Sequence, residues 1–253
     1  MFHLIAWQES LASGGFVFQN VAACVDPSIH YQGDYNFIPE GLTKVIWGAG
    51  RGQDMLAFKI NSPSLRARYA AGMGPVDNLS SAQHGRDPNC NYIGGSPLPL
   101  VATEGVEALI ERATGSATAL CAMLALSDGP VAPVAGEIYS IDFSATIVTV
   151  AGTWVNGAIT LAETLPAGRY QLVGALLWGL YAQAFRFVIP GAIWRPGGIT
   201  CFNDQTRTPA FQRNGGLGVW GEFDHDTLPS MDLLAETAAS QGVGGCLDLI
   251  KIG

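Results

Sequence analysis

Two segments of the chain align without a gap at an offset of 127 residues, and this internal similarity constrains the fold more than any other feature. Residues 38–63 and 165–190 share six identities in 26 positions, among them Phe58 with Phe185. Residues 106–124 align with residues 231–249 at an offset of 125, in the same order along the chain. Two collinear blocks predict an internal duplication with a unit of about 125 residues.

The boundary between the two copies is predicted within "SDGPVAPVAG", residues 127–136. Two Pro and two Gly in ten residues make a stiff, non-helical connector. We therefore expect a first β-sandwich unit over residues 1–131 and a second over residues 132–253.

The uncharged run between Arg169 and Arg186 predicts strands rather than a membrane span. It is shorter than the roughly 18–20 apolar residues that a spanning helix needs. In "AFRFVIP", Phe185 and Phe187 alternate with Arg186, which is the period of a strand with one face buried. Residues 143–162 are rich in Thr, Val and Ile and contain "AG" and "NG", which favours strand, turn, strand.

The gapless alignment predicts that both copies of this segment are hairpins. In the first copy, "WGAGRGQDML" takes the place of the apolar "GALLWGLYAQ", and a membrane span would not tolerate that exchange. We expect the turn near Arg51 to face solvent and the turn near Trp178 to be buried between subunits or against an accessory protein. For the starts of the second blocks, "VEALIERA" and "MDLLAETA", the apolar spacing leaves a short helix or turn open.

The charge balance argues against nucleic acid as a partner. The net charge is −8, with 13 Lys plus Arg and no basic run, whereas direct nucleic-acid binding needs clustered positive charge. The N-terminus lacks the basic start and long apolar core of a signal peptide, so nothing marks it for export. Only 13% of residues are charged, which is typical of many short strands or of a surface covered by neighbours.

Residue types that carry chemistry are scattered along the chain. The five cysteines form no CxxC pair, which argues against a zinc site and favours small buried side chains in a reducing compartment. They are Cys24, Cys90, Cys121, Cys201 and Cys246. Cys90, in "DPNCN", is a nucleophile only if a His approaches it, and the sequence there favours a turn.

One acidic segment, "GEFDHDTLP" at residues 221–229, concentrates polar groups. Glu222, Asp224 and Asp226 could bind a hard cation, and His225 could act as a base beside them. The alternative is a solvated acidic loop between two strands. We predict no catalytic, cofactor-binding or metal-binding residue from this pattern.

Size and duplication resemble the bicupin enzymes, and "RPGGITCFN" resembles their second motif through Pro196, Gly198 and Asn203. The histidine of that motif and the HxH pair of the first motif are missing, so no metal ligands are present to support catalysis. Tryptophan is frequent in the second half, where it serves core packing, sugar binding or an interface. The residues are Trp154, Trp178, Trp194 and Trp220.

Tandem β units of about 125 residues resemble the double jelly-roll major capsid proteins of tailless icosahedral bacterial viruses, some of which enclose a membrane. The resemblance is architectural and implies an all-β fold of two tandem jelly-roll-like β-sandwich units. It implies no enzyme activity and no cofactor, but a homotrimeric, pseudo-hexameric capsomer in the virion. It also leaves room for accessory capsid proteins and for a viral membrane beneath the shell.

Two other function classes remain open. A carbohydrate- or receptor-binding β-sandwich module, such as a spike, would use aromatic clusters and acidic loops. A degenerate bicupin enzyme is the third hypothesis. Assembly state separates these classes, since a capsid protein forms a trimer or larger species.

Overall fold

The structure, a computed structural model, describes residues 1–11, 17–52, 55–65, 90–92, 94–112, 118–201 and 212–253. These residues form β-strands and no α-helix, as the sequence predicts. None of the described segments is a helix long and apolar enough to cross a membrane.

The described residues of the first half contribute ten strands to two antiparallel sheets. The strands are β1 (Phe2–Leu11), β2 (Phe18–Val21), β3 (Tyr31–Gln32), β4 (Tyr35–Phe37), β5 (Lys44–Arg51), β6 (Met55–Asn61), β7 (Cys90–Tyr92), β8 (Leu98–Pro99), β9 (Gly105–Arg112) and β10 (Thr118–Ser127). Sheet I has the order β1-β10-β5-β7, with β8 also on β5. Sheet II has the order β2-β9-β4-β3, with β6 on β9.

In the second half, the part of the chain that the structure describes forms nine strands in two further antiparallel sheets. The strands are β11 (Tyr139–Val148), β12 (Val155–Ala158), β13 (Thr160–Leu161), β14 (Arg169–Trp178), β15 (Ala182–Val188), β16 (Gly197–Ile199), β17 (Gly221–Asp224), β18 (Ser230–Ala235) and β19 (Ser240–Lys251). Sheet III has the order β12-β18-β15-β16, and sheet IV has the order β13-β11-β19-β14-β17.

Strand order in the second half is that of a jelly roll. Apart from the short β13, the first, eighth, third and sixth strands form sheet IV, and the second, seventh, fourth and fifth form sheet III. The first half has the same order where its strands are described, with β1, β10, β5 and β7 in sheet I and β2, β9 and β6 in sheet II. The predicted boundary at 131/132 lies in the segment between β10 and β11.

The two halves also share their irregularities. A bulge interrupts β5 at Ile46 and β14 at Val173, and another interrupts β6 at Leu56 and β15 at Gln183. Both pairs lie at the predicted offset of 127. Bulges re-aim a strand at one place, so their coincidence supports the alignment of residues 38–63 with 165–190. The duplication as an evolutionary event stays a prediction.

The second aligned block needs a correction of two residues. Leu126 lies opposite Val45, whereas Leu249 lies opposite Leu172, so the equivalent residues of β10 and β19 are 123 apart and not 125. A slip of two keeps every side chain on the same face of a strand, which is why the hydrophobic pattern still matched. The segments left open as helix or turn are strands, β9 and β18.

The predicted hairpins are wrong. β5 and β6 follow one another but lie in different sheets, and so do β14 and β15. Each short turn carries the chain across the sandwich, because β5 pairs with the distant β10 while β6 pairs with β9. The prediction of two strands joined by a short turn is therefore correct, but the prediction that these two strands pair with each other is wrong.

The four sheets stack in the order II, I, III, IV. One buried cluster fills the space between sheets II and I, and a second contains side chains from sheets I, III and IV. Both faces of β15 are buried: Phe185 and Phe187 face sheet IV, and Arg186 is fully buried on the opposite face, towards sheet I. The expected single buried face of β15 is thus wrong, because the first half covers the other face.

Candidate functional site at the junction of the two halves

The acidic side chains of residues 221–229 are spread along β17 and the turn that follows it. Glu222 lies in β17, where its carboxylate pairs with Arg169 at 2.8 Å. Asp224 and Asp226 are exposed, and His225 lies at the surface turn that leads to β18. Within the described ranges, no three His, Cys, Asp or Glu side chains are grouped so as to hold a metal ion.

The described cysteines are small buried side chains. Cys24, Cys121, Cys201 and Cys246 are all buried thiols without a disulfide. Burial raises the pKa of Cys121 to about 12, so its thiol is protonated at neutral pH. The side chain of Cys90, and residues 87–89 before it, lie outside the described part of the chain.

The segment that resembles the second cupin motif is an edge strand. Pro196 precedes β16, which pairs with β15. A Cβ on Gly198 would lie 2.3 Å from the amide nitrogen of Gln212, so the strand packs closely on this side chain. The Oε1 atom of Gln212 accepts the N–H of Ile199 at 3.1 Å. Asn203 lies outside the described residues.

Four charged side chains meet where sheet III packs against the first half. The guanidinium of Arg186 binds both carboxylate oxygens of Asp26, at 2.5 and 2.7 Å. Its Nε donates to Asp232 at 2.9 Å, and Asp232 also accepts a hydrogen bond from Arg195 at 2.5 Å. Asp26 belongs to the first half and the other three to the second. This junction cluster carries equal positive and negative charge.

The surroundings of Arg186 complete its coordination. Its Nη1 donates to the carbonyl of Leu4 in β1 at 3.0 Å, and its guanidinium lies 4.3 Å from the ring centre of Trp154. Backbone, carboxylate and aromatic partners thus stabilise a guanidinium that is fully buried. A buried arginine with fewer partners would be strongly destabilising.

His3 lies beside this cluster as a neutral ring. Burial and the charge of Arg186 lower the pKa of His3 to about 3. Its Nδ1 accepts the backbone N–H of Arg195 at 3.2 Å, which places the ring hydrogen on Nε2. That Nε2 faces the hydroxyl of Ser28 at 3.4 Å.

Ser28, His3 and Asp26 do not make an activated nucleophile. A serine nucleophile needs a ring nitrogen that can take its proton, and the Nε2 of His3 already carries one. The hydroxyl of Ser28 instead donates to Asp26 at 2.5 Å. The cluster is suited to fixing the two halves in one orientation.

Amide and backbone contacts extend the junction. Gln8 of β1 donates to the side-chain oxygen of Gln183, the bulge residue of β15, and to the carbonyl of Ala235 at 2.9 Å. Gln183 in turn donates to the carbonyl of Ala119 at 3.0 Å. The bulge therefore re-aims a polar side chain across the junction.

Arg51 is buried, although we expected the turn near it to face solvent. Only 1% of its surface is exposed, and its Nη1 donates to the carbonyl and the hydroxyl oxygen of Thr200. Arg51, the last residue of β5, thus contacts the second half, whereas residues 53–54 of the turn lie outside the described residues. Its counterpart Trp178 is only partly buried, and Leu180 in the same turn is 51% exposed.

Sequence reasoning missed the junction cluster, although one signal pointed to it. Arg186 is the single charge in the apolar run of β15, and a charge in a buried strand requires a partner. Asp26 and His3 lie 160 and 183 residues away in sequence, so no local pattern joins them.

A groove of about 590 Å³ runs along the connector between the halves. Its walls are mainly Pro, Gly, Ala, Val and Leu residues from segments 130–132, 190–192 and 217–219. Glu222 is the charged side chain among its described lining residues, and Arg169 already pairs with it. The groove is large enough for a small ligand, but its described lining residues do not place several polar groups around one point, as a reaction would need.

No family model matches the chain, and no curated protein matches it. Among solved structures, the PBSX exported protein XepA is similar over 98% of this chain and 86% of its own, with 8% identity and a TM-score of 0.30. The major capsid protein P2 from bacteriophage PM2 is similar over 100% of this chain and 98% of its own, with 8% identity and a TM-score of 0.27. Similarity at this level carries no argument about function.

Proposed function

We propose that this chain is a structural, self-assembling protein, the major capsid or coat protein of a virus particle. The observation that carries the proposal is the stacking of two jelly-roll units into one body by a buried junction between sheets I and III. Jelly rolls protect their sheet edges, and a rigid pair of them is a building block for a closed shell.

The proposal specifies a homotrimer in which three chains present six similar units around a pseudo-sixfold axis. Such a capsomer would belong to the virion, with accessory capsid proteins or a membrane beneath the shell as further partners. The exposed side chains of Ser144, Thr146 and Val148 on β11 support the proposal, because short side chains can be buried against a neighbour at low cost in side-chain entropy.

Electron microscopy of the purified protein tests this function. We expect closed shells or sheets with hexagonally packed capsomers of three chains each. Immunogold labelling of particles from the protein's source should decorate their outer lattice. Dispersed single chains across a range of pH and ionic strength, together with unlabelled particles, would contradict the proposal.

A carbohydrate- or receptor-binding module is the second candidate, and the turn between β14 and β15 favours it. Leu180 and Tyr181 are 51% and 41% exposed there, next to the partly buried Trp178. Exposed aromatic rings beside an apolar side chain can stack on sugars. Binding of the purified protein to a glycan on an array would support this candidate, provided that Tyr181→Ala abolished binding to that glycan.

A further inference from the structure

The outer face of sheet II has a pocket of about 340 Å³ over Gly105, the first residue of β9. Tyr35 and Phe37 in β4 line one side of it, and Asn61 in β6 lines the other. Glu107, which pairs with Tyr35 and with Asn61, also lines the pocket. A Cβ on Gly105 would lie 3.0 Å from the ring of Tyr35. The space therefore exists because Gly105 has no side chain.

Two aromatic rings line this pocket. Tyr35 is 43% exposed, and Phe37 is partly buried, with its ring centre 4.6 Å from that of His30. The face of an aromatic ring carries partial negative charge, and it attracts a positively charged group that lies over it. Quaternary and methylated ammonium groups are recognised in this way. The rings therefore favour a cationic ligand over an anionic one.

Glu107 supplies a carboxylate that is held by neutral partners. Only 8% of its surface is exposed, although it lies on the outer face of the sheet. The side-chain amide of Asn61 donates to one carboxylate oxygen at 2.5 Å, and that of Asn20 lies 3.4 Å from the other. Asn20 also lies 3.4 Å from a carboxylate oxygen of Asp34. A buried carboxylate is costly without a cationic partner, so a cation in the pocket would stabilise it.

The lysine on this face does not neutralise Glu107. The ammonium of Lys59 lies 4.4 Å from the ring centre of Phe18. Within the part of the chain that the structure describes, neither Glu107 nor Lys59 forms an ion pair. Glu111, four residues after Glu107, lies on the same face of β9. With Asp34 nearby, carboxylates outnumber Lys59 around the pocket, which favours a positively charged ligand.

From these contacts we propose that the pocket binds a small organic ammonium ion, either methylated or quaternary. Its charged group lies between the carboxylate of Glu107 and the rings of Tyr35 and Phe37. A metal ion fits less well, because Ca²⁺ takes about six to eight oxygen ligands and the described lining residues offer one carboxylate. The site belongs to the first half of a single chain, so it does not depend on the proposed self-assembly.

Choline is the probe that tests the charge of the ligand. Its neutral carbon analogue, in which a tert-butyl group replaces the trimethylammonium group, has the same shape. The carboxylate and the ring faces attract only the charged probe. We therefore expect isothermal titration calorimetry to give millimolar binding of choline and about tenfold weaker binding of the neutral analogue.

Variants of the lining residues test the site. Glu107→Gln keeps the size of the side chain and removes its charge, and Tyr35→Leu removes one ring. Each should weaken choline binding about tenfold. Glu111→Gln, on the same face of β9, and Tyr139→Leu, at the surface of the second half, are matched controls that should bind choline as the wild type does. Gly105→Val fills the pocket and should abolish binding. Thermal melts verify that each variant is folded.

Vesicles of phosphatidylcholine distinguish a lipid head group from a free ion. Co-sedimentation that is lost in Glu107→Gln would assign the ammonium group to a lipid, and choline binding without co-sedimentation would assign it to a free ion. Equal affinity for choline and its neutral analogue would overturn the proposal. A folded Glu107→Gln or Gly105→Val variant that binds choline like the wild type would also overturn it. So would the absence of choline binding at millimolar concentration, which would leave the proposed self-assembly intact.

Discussion

Arg186 is the residue whose loss should cost most at the junction. Replacing it by methionine, Arg186→Met, leaves Asp26 buried without a cationic partner. Removing one partner of a buried ion pair typically costs about 3–5 kcal/mol of the free energy of unfolding. Arg169→Met, which removes an exposed pair with Glu222, should cost less than about 1 kcal/mol. Denaturant unfolding of both variants checks this, and equal losses would contradict it.

His3 should make the folded state sensitive to mild acid. Burial and the charge of Arg186 lower the pKa of His3 to about 3, whereas an unfolded histidine titrates near 6.5. Below pH 6.5 the unfolded chain therefore binds a proton that the folded chain does not. Stability is complete above this pH and falls as the pH drops towards 3, with a slope that approaches about 1.4 kcal/mol per pH unit.

Variants isolate the contribution of His3. His3→Gln should flatten the fall in the free energy of unfolding between pH 6.5 and 4.5, while His225→Gln, at a surface turn, should keep it. Burial opposes the charge of Asp26, but the hydrogen bonds and the charge of Arg186 prevail and lower the pKa of Asp26. That carboxylate therefore adds its own loss of stability only below about pH 3.8. An identical pH profile for wild type and His3→Gln would rule out this role.

Phe58 and Phe185 are equivalent core residues with no exposed surface. Truncating a ring in a packed core removes its contacts and leaves a cavity, so Phe58→Ala and Phe185→Ala should each cost about 3–5 kcal/mol. Thermal melts measure the effect. A shift of only a degree or two in both variants would mean that the core faces are wrongly assigned.

For single residues, the alternation of apolar and polar positions predicts which face of a strand is buried. It does not predict contacts between residues that are distant in sequence. The alternation around Phe185 was enough to assign its face. Arg51 was expected in solvent because its neighbours are glycines, but its partner Thr200 lies 149 residues away. The same holds for the junction cluster, whose partners come from both halves.

Among the strands, β19 shows how the sandwich limits side-chain size. A Cβ on Gly245 would lie 2.4 Å from the carbonyl oxygen of Leu176 and 2.5 Å from the ring of Phe143. A Cβ on Gly242 would meet nothing within 4 Å. Gly245→Ala should therefore cost about 1–3 kcal/mol, and Gly242→Ala should change stability by less than about 0.5 kcal/mol. Denaturant unfolding of the two variants would contradict this if the losses were equal.

Strands as elements were predictable, but their pairing was not. β-Branched and alternating residues identified β11, β14 and β15, whereas the two shared bulges became visible only in the strand registers of the structure. The short turn between β14 and β15 favoured a hairpin, because neighbours in sequence usually pair. Jelly-roll pairing is non-local, and only the three-dimensional arrangement shows that the turn crosses between sheets.

For the whole molecule, the stacked sheets explain the composition. The central strands of sheets I and III are buried on both faces, as the burial patterns of β5 and β15 show. Four layers leave only two broad faces for solvent, which accounts for a charged fraction of 13% without a neighbour. The low charge led us to expect cover by neighbouring copies, whereas the structure shows cover of one half by the other within the chain.

The mass of the native particle tests the central claim, that two stacked jelly rolls form a subunit of a shell. Native mass spectrometry at micromolar concentration should find a closed homotrimer, three times the chain mass of 26.6 kDa, or larger multiples of it. A stable, folded single chain at the same concentration would contradict the claim and favour the binding module.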